Sequence, residues 1–144
     1  MLKNLFDFTF SLLGMFLLLP ILLITSFLSI ILQGYPIFFF HERLGKDGIK
    51  FTMVKFRTMK NGPSFSAEHD ITRLTIWGRF LRKTSIDELP VLFNVIKGDM
   101  SLVGPRPLPV KYFNRFNSFQ KERLIVKPGI TGLAQIHGRN HLSW

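Results

Sequence analysis

A chain of 144 residues ordinarily forms one domain, but here the charge is divided very unevenly along it. No charged residue occurs from Phe8 to Phe40; Lys3 and Asp7 cancel, so the whole net charge of +10 falls on residues 41–144. The first third is too apolar for a soluble core. The absence of cysteine excludes disulfides and thiolate metal sites, and the basic remainder attracts acidic lipid headgroups, nucleotides or nucleic acid.

The apolar run Phe8–Leu32 is 25 residues long, enough for a transmembrane helix of about 20. It is too long for a signal peptide, Lys3 is offset by Asp7, and no small-residue exit follows. Pro20 sits at its centre, where it loses a helical hydrogen bond and bends the helix. Two readings stand level on the residues alone. The helix spans the membrane, or it enters and leaves on one face, so that Lys3 and the basic domain share the cytoplasmic side.

Gln33-Gly-Tyr-Pro36 ends that segment. Ile37–Phe40 reads as a strand or buried extended run, Gly45-Lys-Asp-Gly48 as a turn, and Ile49–Arg57 as an amphipathic strand. In the last, Phe51, Met53 and Phe56 oppose Lys50, Lys55 and Arg57, whose charges fit a solvated strand face. Asn61–Asp70 reads as a polar loop and Thr72–Arg82 as a helix with apolar Leu74, Ile76, Trp77, Phe80 and Leu81. Ser85 is placed to cap a helix Ile86–Ile96, with Glu88 completing a capping box and Gly98 closing the helix. Leu108–Phe119 reads as helical, Lys127-Pro-Gly-Ile-Thr-Gly132 as a rigid loop, and His137-Gly-Arg-Asn140 as a turn.

Asp87 and Glu88 are an adjacent acidic pair in a basic region, close to Arg82 and Lys83. Acids in a first helical turn can simply complement the helix dipole. Beside cations, an aspartate also stays ionised and can attack phosphorus, and a neighbouring glutamate can hold Mg²⁺. Fourteen residues further on, Leu102-Val-Gly-Pro-Arg-Pro107 fixes the Arg106 guanidinium on a stiff backbone, which suits a phosphate. The four histidines, His41, His69, His137 and His141, lack metal-ligand spacing. No nucleotide-binding glycine loop occurs, which argues against a kinase or dinucleotide enzyme.

Several motifs in order resemble the bacterial sugar transferases, the small monotopic phosphoglycosyl transferases that load undecaprenyl phosphate. They are Asn4-Leu-Phe-Asp-Phe8, Pro20, Lys55-Phe-Arg-Thr-Met59, Arg82-Lys-Thr-Ser-Ile-Asp-Glu-Leu-Pro90, the run Phe93–Pro107, Lys127–Gly132 and Gln135–Asn140. The resemblance implies a mostly helical α+β fold, with a re-entrant membrane helix in residues 1–34 and a catalytic domain in residues 35–144 on the cytoplasmic face of the bacterial inner membrane. It implies that Asp87 attacks the sugar-bearing phosphate of a UDP-sugar. UMP leaves, and polyprenyl phosphate then takes the sugar phosphate in the first membrane step of surface glycan synthesis. Glu88 carries a metal or base role, and both carboxylates would hold Mg²⁺. Lys55, Arg82, Arg106 and Arg139 are carried over as phosphate or nucleotide binders. The partners implied are the donor, the lipid acceptor, membrane lipid and downstream glycosyltransferases, with no nucleic acid.

Two departures qualify the likeness. Leu19 stands where the family often has serine before the proline, and the chain stops at Trp144, which reads as a C-terminal truncation. The competing readings are an inactive relative and a membrane-anchored basic module without catalysis.

Overall fold

The computed structural model describes residues 2–60, 62 and 72–137. Two helices open the chain, α1 (Leu2–Leu17) and α2 (Leu19–Gln33). Strands β1 (Phe38–Leu44) and β2 (Lys50–Phe56) pair across the short 3-10 turn Lys46–Gly48. Helix α3 (Ile76–Thr84) follows, then a 3-10 segment Ile86–Val91 leading into α4 (Leu92–Lys97). The remaining elements are β3 (Ser101–Val103), a 3-10 segment Val110–Arg115, α5 (Ser118–Lys121), β4 (Gly129–Thr131) and α6 (Leu133–Ile136). The fold is thus mixed helix and strand.

No single helix among the described residues is long and apolar enough to cross a membrane. The pair α1 and α2 passes that test together, but it is bent by 58°. The break lies at Leu18, and Pro20 occupies the first turn of α2, where its missing N–H would have no helical partner anyway. The two helices share an unusual burial pattern. Their buried residues are polar, Asp7 and Ser11 in α1 and Thr25 and Ser29 in α2, each pair four apart and so on one face. Their leucines, isoleucines and phenylalanines lie outward: Leu2, Phe16 and Leu17 are more than 60 % exposed, as are Leu23 and Phe27. Water-soluble helices do the opposite.

The chain divides into two compact units, and β1 and β2 each begin in one and end in the other. The first comprises residues 1–16, 40–53 and 91–144. Its core joins Phe51 and Met53 of β2 to Val91, Val95 and Met100, with Leu102 and Ile130 packed against them. Strands β3 and β4 pair in parallel, Ser101 opposite Gly129 and Val103 opposite Thr131. A Cβ on Gly129 would lie 2.0 Å from the Gly104 nitrogen, so only glycine permits this approach. Asn94, buried, closes the turn after α4: its carbonyl accepts from Asp99 and Met100 N–H, and its side-chain amide donates to the Thr52 carbonyl at 2.7 Å. Asp7 is buried in the same unit. Its carboxylate accepts from the Ser101 hydroxyl at 2.8 Å and the Leu102 N–H at 3.1 Å, which fastens α1 to β3.

The second unit comprises residues 17–39 and 54–90. Thr75 caps α3 by accepting from Gly78 N–H, and Leu81 is fully buried. Trp77 of α3 donates its indole N–H to Ser29 of α2 at 3.0 Å. A Cβ on Gly78 would meet the Thr58 carbonyl at 1.9 Å, so α3 lies hard against the residues after β2.

Several expectations change. Thr72–Arg82 is not one helix: Leu74 bridges Met59 in extended form, the capped helix begins at Ile76, and Ile76 points into solvent. Ser85 is not an N-cap. It ends α3 with φ 60°, and the Glu88 carboxylate pairs with Lys55. The expected helix Ile86–Ile96 is 3-10 up to Val91, since Pro90 cannot donate within an α-helix. Leu108–Phe119 contains a 3-10 segment and only the start of α5, and the loop Lys127–Gly132 is largely strand β4, completed by β3. Arg57, expected on a solvated strand face, is buried. The loop Asn61–Asp70 (apart from Gly62) and Gly138–Asn140 lie outside the described residues, as do His69 and His141.

Candidate active site

The acidic pair and two of its expected cations belong to the second unit. Ser85 takes a left-handed turn, uncommon for a residue with a side chain, and directs the chain from α3 into the 3-10 segment. Asp87 and Glu88 therefore lie three and four residues beyond Thr84, the end of α3. Lys55, near the end of β2, donates to Glu88 Oε1 at 2.6 Å. Arg82 donates its Nε–H to the Thr58 hydroxyl at 3.0 Å, which directs the guanidinium from α3 toward the residues after β2.

Asp87 is buried, with 8 % of its surface exposed. Burial pushes its carboxyl above the ordinary carboxylate value; Lys55 pulls it down, Glu88 pushes it up and Arg82 pulls it down more weakly. The two carboxylates thus stand in different settings: Glu88 is ion-paired and half-buried, while Asp87 is buried. A desolvated carboxylate with a raised pKa is a stronger base and nucleophile once ionised.

Among the described residues no group of three acidic or histidine side chains gathers into a metal cage. Two adjacent carboxylates still fit Mg²⁺ bound together with substrate, because this ion commonly takes one or two carboxylates and completes its shell with phosphate oxygens and water.

Arg106 lies in the first unit, exposed on the loop that leaves β3. That loop is held by its backbone. The Arg106 carbonyl accepts from Arg123 Nη2 at 3.0 Å, the Pro107 carbonyl from Arg43 Nη1 at 3.3 Å, and the Pro105 carbonyl from Gly129 N–H at 2.9 Å. A small cleft beside it is lined by Pro105, Arg106, Phe116, Arg123 and Leu124 among others, and burial lowers the pKa of Arg123. Arg139 lies outside the described residues.

Sequence reading missed Arg57, Thr58, Asp7 and Arg123. One signal was available for the first. The apolar positions Phe51 and Met53 of β2 are two apart, so strict alternation places Lys55 and Arg57 on their face rather than opposite it.

A family model for the bacterial sugar transferases matches residues 1–144. The chain is 48% identical over 145 residues to an uncharacterized sugar transferase, EpsL, of Bacillus subtilis, covering 99% of this chain and 72% of that protein. It is 43% identical to the galactosyl transferase CpsE of Streptococcus agalactiae and 39% identical to the undecaprenyl-phosphate galactose phosphotransferase of Salmonella typhimurium. These alignments cover 98% and 99% of this chain but only 34% of each relative. On a match that runs the length of the chain, this protein belongs to the bacterial sugar transferase family.

Proposed function

We propose that the chain transfers a sugar 1-phosphate from a UDP-sugar to polyprenyl phosphate at a membrane, with Asp87 as nucleophile. The observation that carries the reading is the divided pair: Asp87 buried, with its carboxyl raised by desolvation, beside Glu88 held by Lys55. The similarity to proteins named as undecaprenyl-phosphate phosphotransferases supports the acceptor class.

An Asp87 oxygen attacks the phosphorus that bears the sugar. The bond from that phosphorus to the bridging oxygen breaks, and UMP leaves with the electron pair. A phosphate oxygen of the lipid then attacks the same phosphorus, the bond to Asp87 breaks, and the carboxylate is regenerated alongside a polyprenyl diphosphate sugar. Lys55 and Arg82 offset the anionic repulsion in both steps, and Arg106 serves as a further phosphate-binding residue. Asp87 and Glu88 would hold Mg²⁺, which supplies charge neutralisation at the phosphates when bound.

The outward apolar faces of α1 and α2 support immersion in lipid, and their 58° bend supports a re-entrant course that returns to the cytoplasmic face. The test is a labelled donor with ³²P in the sugar-bearing phosphate, offered with Mg²⁺ and no acceptor. Label should remain on the wild-type protein, not on Asp87→Asn, and should leave on addition of polyprenyl phosphate. Release of UMP only when acceptor is present, with no labelled protein, would overturn the covalent route.

A further inference from the structure

The buried arginine at the end of β2 has a definite task. Arg57 donates Nη2–H to the Gln33 carbonyl at 2.5 Å and the Gly34 carbonyl at 2.6 Å, and Nε–H to the Pro36 carbonyl at 2.7 Å. Its own N–H donates to the Ile37 carbonyl at 2.8 Å, and its carbonyl accepts from the Gln33 amide at 3.2 Å. These contacts clasp the C-terminal end of α2, where carbonyls lack helical partners and a cation is favoured by the helix dipole. The next residue faces the site. The Thr58 hydroxyl accepts from Arg82 Nε–H, and the Thr58 carbonyl accepts both the N–H and the hydroxyl of Thr75, the cap of α3. Gly78 leaves no slack there, as its α-carbon abuts Thr58. One peptide bond therefore separates the clasp on α2 from the acceptor that holds Arg82. All of these residues lie in one unit, and Arg57 and Thr58 are both buried.

We infer that Arg57 and Thr58 are positioning residues that transmit the seating of α2 to the Arg82 guanidinium. In this arrangement the depth of the apolar segment in the membrane sets the place of a cation that serves the phosphates, so catalysis is coupled to correct membrane insertion. The inference rests on the proposed reaction for its kinetic consequence, but not for its physical content. A planar guanidinium is needed because one side chain must reach three carbonyls; lysine keeps the charge and loses the fork.

The test uses the chain in bicelles with ¹⁵N-labelled arginine, the Arg82 Nε–H signal being identified by its loss in Arg82→Lys. Thr58→Val and Arg57→Lys should each speed exchange of that proton with water at least fivefold, and Thr58→Ser should restore it. If turnover is measurable, both variants should lower kcat at least tenfold with the KM for UDP-sugar within about twofold, whereas a purely structural role would lower the melting temperature and leave kcat per folded molecule unchanged. In the wild type, bicelles of shorter or longer acyl chains should shift the Arg82 signal, and in Thr58→Val they should not; this arm decides even if Arg57→Lys fails to fold. An Arg82 signal indifferent to both Arg57→Lys and bicelle thickness would overturn the inference. A wild type that releases no UMP yet shows the thickness response would instead sink the proposed reaction alone.

Discussion

At the scale of single residues, Asp87 carries opposing demands. Its folded-state pKa is raised, so the fold favours the protonated form. The sign follows directly: the preference contributes stability below the unfolded pKa and is lost as pH rises through the folded one. Above the folded-state pKa the ionised carboxylate therefore costs the fold stability. Asp87→Asn should abolish turnover, because an amide cannot form the acyl phosphate, while raising the melting temperature at pH 7. That gain should fade as pH falls and the wild-type carboxyl protonates, which thermal melts of both proteins between pH 4 and 7 will read. A residual rate in Asp87→Asn above about a tenth of wild type, or about 1.4 kcal/mol of barrier, would show that the carboxylate is not the nucleophile. Glu88→Gln should be severely impaired with an altered Mg²⁺ dependence, since it loses a candidate ligand and the charge that pairs with Lys55.

At the scale of elements, the two N-terminal helices are held by their polar faces. Asp7 accepts from Ser101 and from the Leu102 N–H, and Ser29 accepts from Trp77. Replacing Asp7 with leucine would leave the Leu102 N–H without its acceptor, costing about 1–3 kcal/mol, and the Ser101 hydroxyl with the Val103 carbonyl alone. Asp7→Leu should therefore destabilise the protein although it makes α1 more apolar, and chemical denaturation in detergent will show the sign. Reduced stability in Asp7→Leu is the opposite of what hydropathy alone forecasts. The bend belongs to this scale as well. Pro20→Ala restores the ability to continue a helix through the break at Leu18, so part of the population should shift to a spanning course. The chain lacks cysteine, so a cysteine introduced at position 2 gives clean labelling from either face. Labelling of wild type from the outer face alone would refute the re-entrant course.

At the scale of the whole molecule, two forces would act on the chain at a membrane under the proposed function: attraction of its net charge of +10 to anionic headgroups, and burial of the outward apolar residues of α1 and α2. They separate with salt. At about 1 M the Debye length shrinks to roughly 3 Å, which removes attraction to anionic headgroups but leaves apolar burial intact. Flotation with vesicles should therefore survive a 1 M salt wash, and should persist with wholly zwitterionic lipid. Release by salt would assign binding to the basic surface and leave the exposed leucines and phenylalanines without an explanation.

The amino-acid sequence by itself determined the kinds of element and the chemistry within reach. Uncharged Phe8–Phe40 dictated an apolar helical segment, Pro20 a bend near its middle, and Asp87-Glu88 beside Arg82 a candidate site for phosphate chemistry, because these depend on composition and short spacing. Tertiary structure decided which groups meet. Ser85 looked like a helix cap, yet Lys55, 33 residues away from Glu88, captures that carboxylate and Pro90 holds the segment in a tighter helix. Lys127–Gly132 looked like a loop because β4 is only three residues long and exists through pairing with β3. Arg57 looked solvated because it is charged, although alternation from Phe51 and Met53 places it on their face, and nothing local announces that three carbonyls at the end of α2 await it. Hydrogen bonds between distant segments carry no periodic signature, so the partners of Glu88, Arg57 and Asp7 become visible only when the chain is folded.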